Sequence, residues 1–318
     1  MKGPIMKFSI FLPSGFTHEF SALPGPREAW ERLVEIARAA DESGYESLLM
    51  PDHLTAMQPA QQTQFEAWST ITGLAAHTNR VRLGLLVASV GYRNPALAAK
   101  IASTVDVISD GRLVFGLGAG WHEADYVQYG FEFGSAKERL RRLEEAAQIV
   151  LALWTQEQAT FDGTFYRVDG AINQPKGIQR PHIPLMIAGS GEKVTLRTVA
   201  RYADVSNIAA SPEVIRHKYE VLKKHAEDAG RDYDAITRTV MVLVHTAHTD
   251  DEAQATLPTA PLPIYPGDVA SYGLIGSERT VAERIAAFEA AGAQELVLHF
   301  ADLPTAEQVT RFADTFGI

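Results

Sequence analysis

Along the chain, short unbroken apolar runs alternate with longer stretches whose apolar residues recur every three or four positions. The first pattern belongs to strands buried on both faces, the second to amphipathic helices. Residues 7–12 read as a strand stopped by Pro13. Residues 28–43 follow as a helix with Leu33, Val34, Ala37 and Ala40 on one face and Gly44 as its C-cap. Further strands are expected at 45–50, 81–87, 112–117, 184–188, 205–208, 238–245 and 295–300. Helices are expected at 65–78, 95–109, 135–154, 192–202, 212–229, 280–291 and 305–316.

Strict alternation of strands and helices implies a parallel sheet with helices outside. Eight such units in an α/β chain point to a closed (β/α)8 TIM barrel. An open doubly wound sheet is the alternative. One domain over residues 1–318 is expected, with three breaks in the rhythm. Residues 119–134 read as a long loop after the fourth strand. Residues 158–184 form an insertion in which Asp162-Gly163, between alternating aromatic residues, predicts a hairpin. Residues 246–278, rich in Pro, Gly and Tyr, form another. The first and third breaks follow strands, so they belong to the face where barrel active sites lie.

Composition narrows the function. The chain carries 29 Lys and Arg against 39 Asp and Glu, a net charge of −10, which argues against nucleic-acid binding. Its longest basic cluster, residues 137–142, alternates with apolar and acidic residues and reads as a solvated helix face. There is no cysteine, hence no thiolate nucleophile and no cysteine zinc site. No apolar run approaches the ~18 residues of a membrane span. The opening "MKGPIMKFSIFLPSG" lacks the pattern of a signal peptide. These features lead us to expect a cytoplasmic protein with no membrane or nucleic-acid partner.

Four stretches carry candidate chemistry. "YESLLMPDHLTAM" brings a buried strand to the surface at Asp52 and His53. A histidine there can exchange a proton with a ligand, and the aspartate can fix the backbone or the imidazole. A loop-capping Asp and a surface His are the bland alternative. "FGLGAGWHEADY" has glycines that let backbone approach a ligand. It fails as a dinucleotide fingerprint because position 121 is Trp121, and as a metalloprotease motif because position 126 is Tyr126. A planar cofactor near Trp121 suits it better than phosphate or zinc, with a glycine turn packed by Trp121 as the alternative. "IAGSGEK" ends a strand in Gly189-Ser190-Gly191 with a helix expected at once, an anion site by dipole and free N–H groups. "LGLLVASVGYRNP" leaves room at Ala88, Ser89 and Gly91, with Tyr92, Arg93 and Asn94 polar at the same rim. Taken alone, this last signal is weak.

Taken in order, "PDH", "LGLLVASVGYRNPALAAK", "DVISDGRLVFGLGAGWHEADYVQYG", "ERLRRLEEAAQIVLALW" and "IAGSGEKVTLRTVARYAD" resemble the bacterial luciferase-like monooxygenase superfamily. The likeness is closest to its branch of coenzyme F420-dependent oxidoreductases. It runs from about Lys7 to Phe316 and is strongest from Tyr45 to Asp204. The resemblance implies a barrel binding coenzyme F420, or alternatively FMN, at the C-terminal strand ends. It implies phosphate at Ala188, Gly189, Ser190 and Gly191, and a non-prolyl cis peptide near Leu86-Val87, beside Ala88 and Ser89. It implies ring contacts from Asp52 and His53, with His53 the catalytic residue. The loop holding Gly118, Ala119, Trp121 and His122 would line the ring and phosphate side. One departure stands out: some F420-dependent relatives carry an acidic catalytic residue where this chain has Trp121.

Three functions follow as expectations. The first is F420-dependent hydride transfer to or from a small organic substrate, with the 246–278 insertion closing over the site. The second is an FMN-dependent monooxygenase supplied with reduced flavin by a partner reductase. The third is a flavin- or deazaflavin-binding protein without turnover. A homodimer is expected in each case.

Overall fold

A computed structural model describes residues 6–58, 60–258 and 264–318. Eight parallel strands close into a barrel: β1 (Lys7–Phe11), β2 (Ser47–Met50), β3 (Arg82–Leu85), β4 (Leu113–Gly118), β5 (Leu185–Ala188), β6 (Val205–Ile208), β7 (Thr237–Thr246) and β8 (Glu295–Phe300). Closure is made by β1 on β8, with Lys7 opposite Glu295 and Ile10 opposite Leu298, and by β7 pairing both β6 and β8. The open doubly wound sheet is thereby excluded. Eight helices cover the outside: α1 (Pro26–Ser43), α2 (Ala67–Ala75), α3 (Pro95–Ile108), α4 (Ala136–Thr155), α5 (Thr195–Tyr202), α6 (Pro212–Asp228), α7 (Glu278–Ala290) and α8 (Ala306–Phe316).

Side chains of one strand parity, such as Ile10, Leu48, Phe115, Leu296 and Leu298, pack outward against the helices. The other parity, with Leu49, Val114, Met186, Met241 and Val297, fills the barrel interior. That double burial is why the strands read as unbroken apolar runs. Local signals set the helix ends. Gly44 takes φ 90° after α1, Asn94 caps α3 just before Pro95, and Ser135 with Glu138 forms a capping box on α4.

Three expectations need correction. The segment 119–134 is not one loop, because Glu123–Tyr129 forms a short helix closed by Gly130 at φ 74°. The insertion 246–278 holds helices Asp250–Thr256 and Val269–Tyr272 and a strand Leu274–Gly276 that extends the sheet beside β7, while residues 259–263 lie outside the described residues. The basic cluster is not wholly solvated. Arg139 is half-buried, lies 3.7 Å over the Phe133 ring and donates from Nε to the Gly120 carbonyl at 3.0 Å. The expected hairpin does form, from Ala159–Asp162 and Arg167–Ala171, with Gly163 N–H donating to the Tyr166 carbonyl.

At the opposite end from the strand C-termini, Glu295 is buried and accepts a hydrogen bond from Ser9 Oγ at 2.5 Å. Burial pushes its carboxyl up to about 7, despite the Ser9 bond. A group at 4.5 when unfolded and about 7 when folded stabilises the fold fully below pH 4.5, and that contribution is lost as pH rises through 7. Its size is up to about 3 kcal/mol. Unfolding free energy measured by urea titration is therefore expected to fall between pH 5 and 8. Glu295→Gln should flatten that fall; an unchanged slope would show that another group causes it.

Candidate active site

The C-terminal strand ends surround a cavity of about 510 Å³. Pockets of this size suit a cofactor-scale ligand. Asp52, His53, Leu86, Val87, Ser89, Gly118, Ala119, Trp121, Ala188, Gly189 and Ser190 all line it. Ala88, His122 and Gly191 do not. Ala88 is buried and pairs with Leu117. His122 stands behind the wall, edge-on to Phe16 at 5.2 Å and to His53 at 5.4 Å.

Asp52 and His53 leave β2 together but serve different partners. The chain turns at Pro51, and alternate side chains then point different ways. Asp52 is buried, and its Oδ2 accepts from Ser89 N at 3.1 Å and Arg93 Nη1 at 2.7 Å. Arg93 reaches on to Glu66 Oε1 at 2.8 Å. Burial pushes the Asp52 carboxyl up, and the Arg93 guanidinium opposes that shift. Asp52 Oδ1 is buried with no partner in the protein.

His53 is fixed by Asp125, in a segment whose sequence predicts a loop. Its Nδ1 lies 2.8 Å from Asp125 Oδ2, in the short helix after β4. Asp125 also accepts from Leu54 N, Thr55 N, Thr55 Oγ1 and, at 2.6 Å, Tyr92 OH. Burial alone would raise its carboxyl. The bonds from His53, Tyr92 and Thr55 outweigh burial and hold it down to about 2. An ionised carboxylate only accepts, so Nδ1 carries the proton. Among the described residues Nε2 then has no partner. The imidazole stacks on Phe16, with ring centroids 3.7 Å apart and planes within 9°. Trp121 meets both rings edge-on, at 6.0 and 5.4 Å.

The glycines of "FGLGAG" also have a packing reason that the sequence does not show. A Cβ on Gly116 would lie 1.8 Å from the Leu85 carbonyl oxygen, and one on Gly118 would lie 2.5 Å from Val87 Cγ2. They let β4 press against the end of β3, whose Leu86-Val87 peptide is cis, as the resemblance implied. The anion cradle is also reshaped. Residues 192–194 form a turn and α5 begins at Thr195, not directly after Gly191. Gly189 adopts φ +129°, and its N–H is taken by the Asn207 carbonyl at 3.0 Å. Cβ atoms on Gly189 and Gly191 would lie 3.1 and 2.9 Å from Thr195 side-chain atoms. Ser190 is exposed at the cradle mouth.

Sequence reasoning missed Asp125, Phe16, Glu19 and His299. Glu19 lines the cavity from the segment between β1 and α1, with Oε2 accepting from Thr17 N at 2.9 Å and burial raising its carboxyl. His299 closes the far wall from β8. Its Nδ1 is 3.0 Å from Tyr265 OH, and burial pushes it down to about 4. A histidine inside the apolar run "ELVLHF" was the available signal for it.

A family model of luciferase-like monooxygenases matches residues 6–272. The chain belongs to the luciferase-like monooxygenase family. An F420-dependent glucose-6-phosphate dehydrogenase of Gordonia bronchialis is 32% identical to this luciferase-like chain over 228 residues, 69% of this chain and 64% of that one. The chain thus spans about 64% of the length of several curated relatives it matches, this dehydrogenase among them. An FMNH2-dependent dimethylsulfone monooxygenase of Pseudomonas putida is 29% identical over 342 aligned positions, 94% of this chain and 92% of that one. The coenzyme F420-dependent tetrahydromethanopterin reductase of Methanopyrus kandleri superposes with a TM-score of 0.78 over 98% of both chains, at 16% identity. That last likeness is one of fold. Among the described residues, no helix is long and apolar enough to cross a membrane, and no cluster of His, Asp and Glu could hold a metal ion.

Proposed function

We propose that this protein is an oxidoreductase, built on one barrel domain, that uses the deazaflavin coenzyme F420 for hydride transfer to or from a small organic substrate. The observation that carries the reading is His53, locked through Nδ1 on buried Asp125, in the same cavity as the glycine cradle at Gly189. The residues present fit the coenzyme. Asp52 lines the cavity and its buried Oδ1 lacks a partner, so a ring N–H can complete it. Ala188, Gly189 and Ser190 would hold the phosphate end, Leu86 and Val87 the back of the ring, and Ser89, Ala119 and Trp121 its rim. No Lys or Arg lines the cavity among the described residues.

Bound in this cavity, coenzyme F420 supplies a two-electron hydride acceptor or donor. The protein's part is proton movement and water exclusion. His53 Nε2 takes the hydroxyl proton of an alcohol as its carbon gives up hydride and becomes a carbonyl; the same atom returns the proton in reverse. Asp125 holds the required tautomer and stabilises the imidazolium. Trp121 carries no titratable proton, so His53 is assigned that role.

The second reading, an FMN-dependent monooxygenase supplied by a reductase, is favoured by the likeness to the dimethylsulfone enzyme over 94% of this chain. Reconstitution with each cofactor decides between them. Retention of coenzyme F420 on gel filtration, with no oxygen uptake by the reduced complex, is the expected result. Oxygen-dependent turnover with reduced FMN would overturn it, and retention without turnover on a substrate panel would point to a non-catalytic carrier. Sedimentation of the purified protein tests the homodimer, and its recovery in a cytoplasmic fraction tests the assigned compartment.

A further inference from the structure

The substrate half of the cavity has a distinctive charge balance. Its walls are Phe11, Phe16, Met57, Trp121, Met241 and Ile264. Trp121 is 46% exposed, an unusually open position for an indole beside a cavity. The charged side chains lining the cavity are the carboxylates Glu19 and Asp52, and among the described residues no Lys or Arg joins them. The nearest cation in the network, Arg93, is already shared between Asp52 and Glu66. His299 is held neutral by burial. An anionic substrate would lose its hydration here, meet no counter-charge and face Glu19, a combination that disfavours its binding. A flat apolar molecule instead covers Trp121 against an aromatic wall in which Phe16 and His53 stack on each other and Trp121 meets both edge-on.

We propose that the substrate is an uncharged molecule with a flat apolar or aromatic body and one carbonyl or hydroxyl group, not a sugar phosphate or other anion. The inference rests on the hydride-transfer reading for the role of the polar group, but its selectivity follows from the wall alone. It separates this chain from its dehydrogenase relatives, whose named substrate carries a phosphate. Glu19 is the specificity-determining residue: its carboxylate, fixed by the Thr17 N–H, repels anions at the wall.

Matched ligand pairs test it. Cofactor retention is scored first, so failure of the cofactor reading is seen separately. Benzyl alcohol and phenyl phosphate are then titrated into the protein carrying whichever flavin it retains, so that the cradle at Gly189 is already filled. Binding is read by quenching of tryptophan fluorescence, with Trp121→Phe identifying the responding indole. Benzyl alcohol should bind at least tenfold tighter than phenyl phosphate to the loaded protein. Glu19→Lys should narrow that preference about tenfold, with a melting curve confirming its fold. Equal or tighter binding of the phosphate to the unaltered protein overturns the proposal, as does absence of Trp121 quenching by the neutral ligand. A preference left unchanged in folded Glu19→Lys overturns the part assigned to Glu19.

Discussion

Asp125→Asn is expected to lower turnover by about 100-fold or more while the barrel stays folded. Asparagine keeps the shape of the site but can turn its amide N–H toward Nδ1, which then must accept. That places the histidine proton on Nε2, the atom proposed to take one up. His53→Ala should match this loss, and the double variant should be little worse than either, because the two act as one unit. If Asp125→Asn retained full turnover, or if the two losses added, the proposed coupling would be wrong. Stability gives an independent readout. Asp125 titrates at 3.8 when unfolded and about 2 when folded, so its contribution is present above pH 3.8 and lost as pH falls through 2. That contribution is at most about 2 kcal/mol. The asparagine variant should lack it, so its acid unfolding should begin from a lower plateau and show a shallower slope between pH 4 and 2.

Asp52→Ala is expected to destabilise the fold by about 3 kcal/mol and to weaken cofactor retention. Two losses combine. The largely buried Arg93, with 16% of its side chain exposed, keeps only Glu66, and the Ser89 N–H loses its acceptor. Because the charge left behind is the larger part of the cost, Asp52→Ala with Arg93→Ala should be less destabilised than the two single effects summed. A coupling energy above about 1 kcal/mol in that cycle is the expected outcome. Simple additivity would show that the pair is not an energetic unit. Asp52→Asn, which can keep the contact with Ser89 but leaves Arg93 without its counter-charge, should recover only the smaller part of the stability. Its effect on cofactor retention then isolates what the carboxylate itself contributes through Oδ1.

The two variants also mark where reading the chain succeeded and where it could not. "PDH" was legible as a site because strand β2 ends in the sequence where its apolar run stops, and barrel sites lie at that end. The pairing of Asp52 with His53 was not. Adjacent residues look like partners in a sequence, yet Asp52 bonds Arg93, 41 positions on, and His53 bonds Asp125, 72 positions on. Likewise "FGLGAG" announced close approach, but only the barrel shows that Gly116 and Gly118 admit the end of β3.

Periodicity and capping residues determined the alternation of strands and helices, because burial on two faces and on one face leave different repeats in a linear chain. The order of motifs likewise carried the family. Tertiary structure alone decided the partners of each titratable group, the start of α5 at Thr195 after the turn at 192–194, and the absence of cationic side chains among the described lining residues. Those depend on which distant segments the closing barrel brings within about 3 Å, a distance at which hydrogen bonds form and over which sequence separation carries no information.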